Sequence, residues 1–192
     1  MKKIPTLFEK VYDGEKYMGV TRNVTPGLEW VLNGEGTATI KIDGSCCAII
    51  NGVFYKRYDA KHGKTPPDGA IPCCDPDPIT GHWPHWIQVD FESKSNKWIV
   101  EAYYNAVSHG MELGDGTYEA CGKHFQGNPY NIPFDILVPH GRHEIHALVR
   151  TFDGIKEWLS THEQEGIVFW KDGEPQCKIK RRDFGFNWPV KK

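Results

Sequence analysis

The sequence predicts an α+β fold made of mostly antiparallel sheets. Three observations carry this expectation. Short β-prone runs recur along the chain, the dipeptides Asn51-Gly52 and Asp172-Gly173 mark tight hairpin turns, and one segment, 153–162, places apolar residues at helical spacing. A parallel sheet would instead alternate each strand with a helix. The first clear strand is 37–42, Thr-Ala-Thr-Ile-Lys-Ile. Runs 46–51 and 53–58 flank Asn51-Gly52 and read as a hairpin. Residues 62–86 change texture: His62-Gly-Lys-Thr-Pro-Pro-Asp-Gly69 and Asp75-Pro-Asp-Pro78 point to a long loop of functional use. Strand signals return at 86–91, 98–104, 116–121 and 133–138. In 153–162, Asp153 is the expected N-cap and Ile155, Trp158 and Leu159 the buried stripe. Segments 166–171 and 176–181 close the chain as a hairpin through Asp172-Gly173.

The 192 residues suit a single domain, 1–192, with length enough for a sizeable core. No internal repeat or low-complexity tract interrupts them. No run reaches the apolar length of a bilayer span, and Met-Lys-Lys-Ile-Pro lacks the apolar run of a signal peptide, so no membrane partner is expected. The net charge of −2 excludes a global basic field, and any polyanion site must be local. Six cysteines stand at 46, 47, 73, 74, 121 and 177, four of them as adjacent pairs. Neighbouring residues in an extended segment face opposite ways, which makes a poor disulfide framework and points to reduced thiols in a cytoplasmic setting. A zinc module from Cys73, Cys74, His82 and His85 lacks the usual Cys-x-x-Cys spacing.

Four short segments carry chemistry. Lys41-Ile-Asp-Gly44 places a lysine at a strand end entering a turn, where a deprotonated amine could attack phosphorus. Its glycine permits a close backbone approach or a positive φ. Gly116-Thr-Tyr-Glu-Ala-Cys-Gly122 offers Glu119 on a short strand, suited to a ribose hydroxyl. Glu165-Gly-Ile-Val-Phe169 sets a carboxylate before a buried strand, suited to hydrated Mg²⁺. In Lys178-Ile-Lys-Arg-Arg182, Lys178 and Lys180 lie two apart on one strand face and together suit a phosphate. Each segment alone also fits a solvated turn or strand, so the weight lies in all four occurring in this order.

That ordered set resembles the covalent nucleotidyltransferase superfamily of ATP-dependent ligases and RNA capping enzymes. A narrower resemblance is to a small family of 5′-to-3′ RNA ligases that includes a vertebrate enzyme. It rests on Lys41-Ile-Asp-Gly-Ser-Cys-Cys47, Gly81-His-Trp-Pro-His-Trp86, Gly127-Asn-Pro-Tyr130, Leu137-Val-Pro-His-Gly141, Glu165-Gly-Ile-Val168 and Gly185-Phe-Asn-Trp-Pro189. The second lysine of Lys178-Ile-Lys180 is less regular in that family than in other ligases. The resemblance implies a nucleotidyltransferase (ligase adenylation) domain of two mainly antiparallel sheets with flanking helices and ATP bound between the sheets. Such ligases often carry a further C-terminal domain, and with three residues after Pro189 no C-terminal accessory domain is expected here. It implies a three-step reaction: AMP is taken up on Lys41, passed to an RNA 5′-phosphate, and displaced by a 3′-hydroxyl. Lys178 and Lys180 would hold the α-phosphate, Asp43 and Glu165 hydrated Mg²⁺ (with Mn²⁺ as a substitute), and Glu119 the ribose. Arg57 is a candidate for the ribose or an RNA phosphate. Tyr130, Phe134 and His140 are candidates to stack on adenine, and backbone groups of Thr39–Lys41 to read its edge. Lys56, Arg57, Lys61, Arg182, Lys191 and Lys192 would supply positive charge for RNA. The alternatives are a DNA ligase or a capping-type enzyme with the same lysine chemistry.

Overall fold

The Asn51-Gly52 and Asp172-Gly173 turns form as expected: all four residues have positive φ (50°, 74°, 54° and 77°), the twist that two-residue hairpins require. The computed structural model describes residues 3–60, 64–78 and 80–190. Lys61, Lys191 and Lys192 lie outside them. In chain order the strands are β1 (Phe8–Asp13), β2 (Lys16–Val24), β3 (Thr37–Lys41), β4 (Ser45–Ile50), β5 (Val53–Ala60), β6 (Ile71–Pro72), β7 (Trp83–Gln88), β8 (Gly116–Cys121), β9 (Ile136–Pro139), β10 (Gly166–Lys171) and β11 (Glu174–Lys180). The helices are α1 (Lys97–Ser108) and α2 (Phe152–Thr161). The α+β expectation holds, and every strand pairing within the sheets is antiparallel. Among the described residues there are three sheets rather than two, with orders β1-β2, β11-β10-β3 and β6-β7-β5-β4-β8-β9.

The chain divides into two units, one of Met1–Lys3 and Asp43–His140, the other of Ile4–Ile42 and Gly141–Lys192. The first unit holds the six-stranded sheet, with α1 packed against it. Cys47, Ile49 and Phe54 on the hairpin, Ala120 and Leu137 beyond it, and Ile99, Ala102 and Ala106 on α1 make its core. The second unit holds the other two sheets and α2. Its core gathers Phe8, Ala38, Ile167, Phe169, Cys177 and Ile179 from strands with Ile155 and Leu159 from α2.

Three sequence expectations need correction. Segment 98–104 is helix, not strand: its aromatic and β-branched residues suggested extension, but Ile99, Ala102 and Ala106 fall on one helical stripe. The strand expected at 86–91 starts earlier, at Trp83, because Pro84 sits in the β5 ladder opposite Asp59, and β6 adds a short edge inside the expected loop. Helix α2 is capped by Thr151, whose hydroxyl accepts from the Gly154 N–H at 3.0 Å, while Asp153 lies in the first turn. The strands β1 and β2 were not among the expected elements, although Asp13-Gly14 marks the turn between them.

Candidate active site

In the second unit, pairing register builds a row of charged residues. Gly166 on β10 lies opposite Lys41 on β3 and Lys180 on β11, so Lys41 and Lys180 project from one sheet face. One step back, Val168 lies between Thr39 and Lys178. On β11 the alternation is clean: Cys177 and Ile179 enter the core, and Lys178 and Lys180 are half-buried on the other face. Gly166 is required by packing, since a Cβ there would meet the Ile179 carbonyl oxygen of the neighbouring strand.

Lys41 Nζ donates to Glu165 Oε2 at 2.5 Å. The Glu165 side chain is 5% exposed and that of Lys41 23%, so the carboxylate is buried and the ammonium shields it. The Lys180 amine is held below the ordinary lysine value, first by burial and then by the nearby cations Arg182 and Lys41, against the opposing pull of Glu165. Lys41 and Lys180 thus share one buried glutamate, with Arg182 and the buried Asp183 also acting on Lys180. Adjacent lysines on a rigid sheet suit a phosphate.

The strand ends at Lys180, where the Asp183 carboxylate accepts from the Lys180 backbone N–H at 2.8 Å and starts a 3-10 turn over Arg181–Phe184. Strand alternation therefore does not extend to Arg182, although Arg182 is exposed as expected. Arg181 is buried and donates to the carbonyls of Leu159, His162 and Asn187, a structural role. Of the Thr39–Lys41 backbone groups, the Ile40 N–H is engaged by the His143 carbonyl at 2.8 Å.

In the first unit, the turn after the lysine is fixed by three hydrogen bonds. The Asp43 N–H donates to the Tyr130 hydroxyl at 2.7 Å, the Gly44 N–H to Glu119 Oε1 at 3.0 Å, and Gln126 Nε2 to the Gly44 carbonyl at 3.1 Å. Gly44 is there for close approach, because a Cβ would run into the Ala120 carbonyl oxygen. Glu119 pairs with Cys46 across β8 and β4, and is buried at 8% exposure. Its other oxygen meets His140 Nε2 at 2.8 Å, and His140 Nδ1 lies 3.0 Å from Thr117 Oγ1. Burial, with the Glu119 charge beside it, pushes the Cys46 thiol up to about 12, against the opposing pull of Arg57.

Glu119, Cys46 and Arg57 line a cavity of about 530 Å³ together with Lys56, Trp98, Phe125 and Gln126. Arg57 is braced by Asp59 at 2.7 Å. Lys56 donates to the buried Asn96 amide at 2.6 Å, which ties it to the start of α1. Of the three aromatics offered for adenine, Tyr130 holds the Asp43 turn and His140 holds Glu119. Phe134 stacks on His109 with ring centres 4.7 Å apart. Trp98 and Phe125, which the sequence reading passed over, line the cavity instead. A helical reading of 97–108 would have singled out Trp98. Cys73, Cys74, His82 and His85 form no ligand group among the described residues. No helix among those residues is long and apolar enough to cross a membrane.

The RNA ligase 1 family profile matches residues 106–192, a span that includes Glu119, Glu165, Lys178 and Lys180. RNA ligase 1 of Danio rerio is 31% identical over 139 residues, which cover 57% of this chain and 43% of that protein. RNA ligase 1 of Rattus norvegicus and that of Mus musculus are each 24% identical over 96% of this chain, covering 73% and 72% of their own lengths. The chain therefore spans less than half of the first relative and under three quarters of the other two.

Proposed function

We propose, from the premise that the chain belongs with the RNA ligases, that it joins RNA ends by ATP-dependent transfer of AMP through Lys41. The observation that carries this reading is the Lys41–Glu165 pair at 2.5 Å, set on the same sheet face as Lys180. In the first step the Lys41 amine attacks the α-phosphorus of ATP, forming a P–N bond as pyrophosphate leaves. The RNA 5′-phosphate then takes the AMP from Lys41. Finally a 3′-hydroxyl attacks the activated 5′-phosphate, and AMP departs as the phosphodiester forms. In-line transfers of this kind depend on positioning and charge neutralisation.

Each residue has a part in that scheme. Glu165 orients the Lys41 amine and accepts positive charge beside it. Lys178 and Lys180 offset the negative charge that develops on the α-phosphate. Glu119 accepts from ribose, and Arg57 binds ribose or an RNA phosphate. A buried carboxylate beside the nucleophile fits Mg²⁺, or Mn²⁺ in its place, since such ions use one or two carboxylates plus phosphate oxygens and water. Glu165 and Asp43 are the groups proposed to hold it, and the ion would neutralise phosphate charge.

Incubation with α-labelled ATP and Mg²⁺, followed by a denaturing gel, tests nucleotide, covalency and residue at once. Wild type should carry label and Lys41→Ala none. Label that persists in Lys41→Ala sinks the assignment. Preference for GTP would move the chain to the capping class, and sealing of nicked DNA in preference to 5′-phosphorylated RNA would move it to the DNA ligases.

A further inference from the structure

Cys46 and His140 have no part in the proposed ligation scheme, and with Glu119 they form a compact ligand set. Their ligand atoms all lie within 4.8 Å of one another, and they form the one such His/Cys/carboxylate group among the described residues. The arrangement follows from strand register. Cys46 sits directly opposite Glu119, and His140, just past β9, continues the ladder by donating its backbone N–H to the Thr117 carbonyl at 3.0 Å. All three are thus fixed by sheet backbone rather than by loops. We propose that this cluster is a tetrahedral binding site for a borderline-soft divalent cation of the zinc class, held by Cys46 Sγ, a Glu119 oxygen and His140 Nε2.

Zinc bonds of about 2.0–2.3 Å to such ligands imply ligand–ligand edges of about 3.3–3.6 Å in a tetrahedron. The Glu119–His140 contact, at 2.8 Å, has to open slightly, and the outer limit of 4.8 Å has to close by about one ångström, within reach of side-chain rotation. A thiolate, an imidazole and one carboxylate suit zinc rather than magnesium, which prefers oxygen alone. The outer contacts are also in place. His140 Nε2–H donates to Glu119 in the empty site; a cation displaces that proton, and Thr117 Oγ1, 3.0 Å from His140 Nδ1, can then accept from Nδ1–H, the way metal-bound histidines are braced. The Gly44 N–H holds the second Glu119 oxygen at 3.0 Å. Three protein ligands leave a fourth position, and Cys46 and Glu119 both line the cavity of about 530 Å³, so a water or another small ligand completes the shell. The inference stands on this geometry and shares one residue, Glu119, with the ligase reading.

The test uses the full chain with Co²⁺ as a spectroscopic stand-in and Zn²⁺ as competitor. One equivalent of Co²⁺ should give the near-ultraviolet band of a cobalt–thiolate bond together with strong visible bands of four-coordination, and Zn²⁺ should bleach both. Cys46→Ser should abolish the thiolate band. His140→Gln should weaken binding at least about tenfold. Zn²⁺ should raise the thermal midpoint of wild type and not that of Cys46→Ser. The double variant Cys73→Ser/Cys74→Ser keeps the Cys46 cluster whole and should retain the band, so the assignment is still decided if Cys46→Ser fails to fold. A band lost in that double variant, unchanged affinity in His140→Gln, or a wild-type spectrum without a thiolate band would each overturn the site. Loss of ATP labelling in Lys41→Ala has no bearing on these readings, so the two proposals fail separately.

Discussion

Replacing Glu165 removes the partner of Lys41 and one of the two counter-charges acting on Lys180. Glu165→Ala and Lys178→Ala should each lower ligation by on the order of 10²–10³, the usual cost of losing one charge-stabilising contact. Both variants should stay folded, because Lys41 keeps partial access to water. Gel-based ligation beside circular dichroism checks both points, and activity within a few-fold of wild type would remove that residue from the site. Lys180 makes a different prediction. A lysine whose value is lowered on folding binds fewer protons folded than unfolded. Its penalty is therefore full at neutral pH, and it is relieved as pH rises through the lowered value towards 10.5. Lys180→Met should be more stable than wild type at neutral pH, should lose that advantage under alkaline conditions, and should ligate poorly. Urea melts at two pH values measure this, and a Lys180→Met protein less stable than wild type at neutral pH refutes it. Residue types and order made Lys41, Glu119, Glu165, Lys178 and Lys180 candidates, and strand register sets Lys41 and Lys180 on one sheet face. The Lys41–Glu165 contact was not legible in the sequence, because it depends on the register of strands 125 positions apart (Lys41 opposite Gly166).

At the scale of elements, strands were readable where a turn dipeptide fixed the start of each partner, as around Asn51-Gly52 and Asp172-Gly173. The same signal stands between β1 and β2 as Asp13-Gly14, with Gly14 at φ 57°. Helix α1 was missed because Trp98, Ile99, Val100, Tyr103 and Tyr104 favour strands by residue type, while its burial period obeys a helix. The cap of α2 separates composition from geometry. Thr151→Ala should cost about 1 kcal/mol, the usual loss for a hydroxyl cap. Asp153→Ala should cost less than about 0.5 kcal/mol, since its bond to Arg22 lies between side chains 71% and 62% exposed. Equal losses in urea unfolding would return the cap to Asp153.

For the whole molecule, a net charge of −2 means that, on the proposed reading, RNA would be gripped by a few placed cations. Lys56 is a poor choice, since its amine is tied to buried Asn96 and its removal would loosen the start of α1. Arg182 is exposed and lies near enough to Lys180 to lower its amine. Arg182→Ala should spare self-labelling by ATP but weaken ligation, with a shallower dependence of RNA affinity on salt, because each lost phosphate contact releases fewer counterions. Equal loss of both steps would show that Arg182 serves the nucleotide instead.

The division of the chain has a consequence for its biosynthesis. Apart from three N-terminal residues, the unit bearing Glu119 is one uninterrupted stretch, Asp43–His140, inserted into a unit whose halves, Ile4–Ile42 and Gly141–Lys192, flank it. On the ribosome, the stretch with the cavity can fold while the later half is still being made. The strand that carries Lys41 emerges early but stays without its neighbour in the sheet until β10 arrives more than a hundred residues later, a closure of long sequence separation and therefore slow. The sheet face that Lys41 shares with Lys180 is thus complete only once β10 and β11 have both been made.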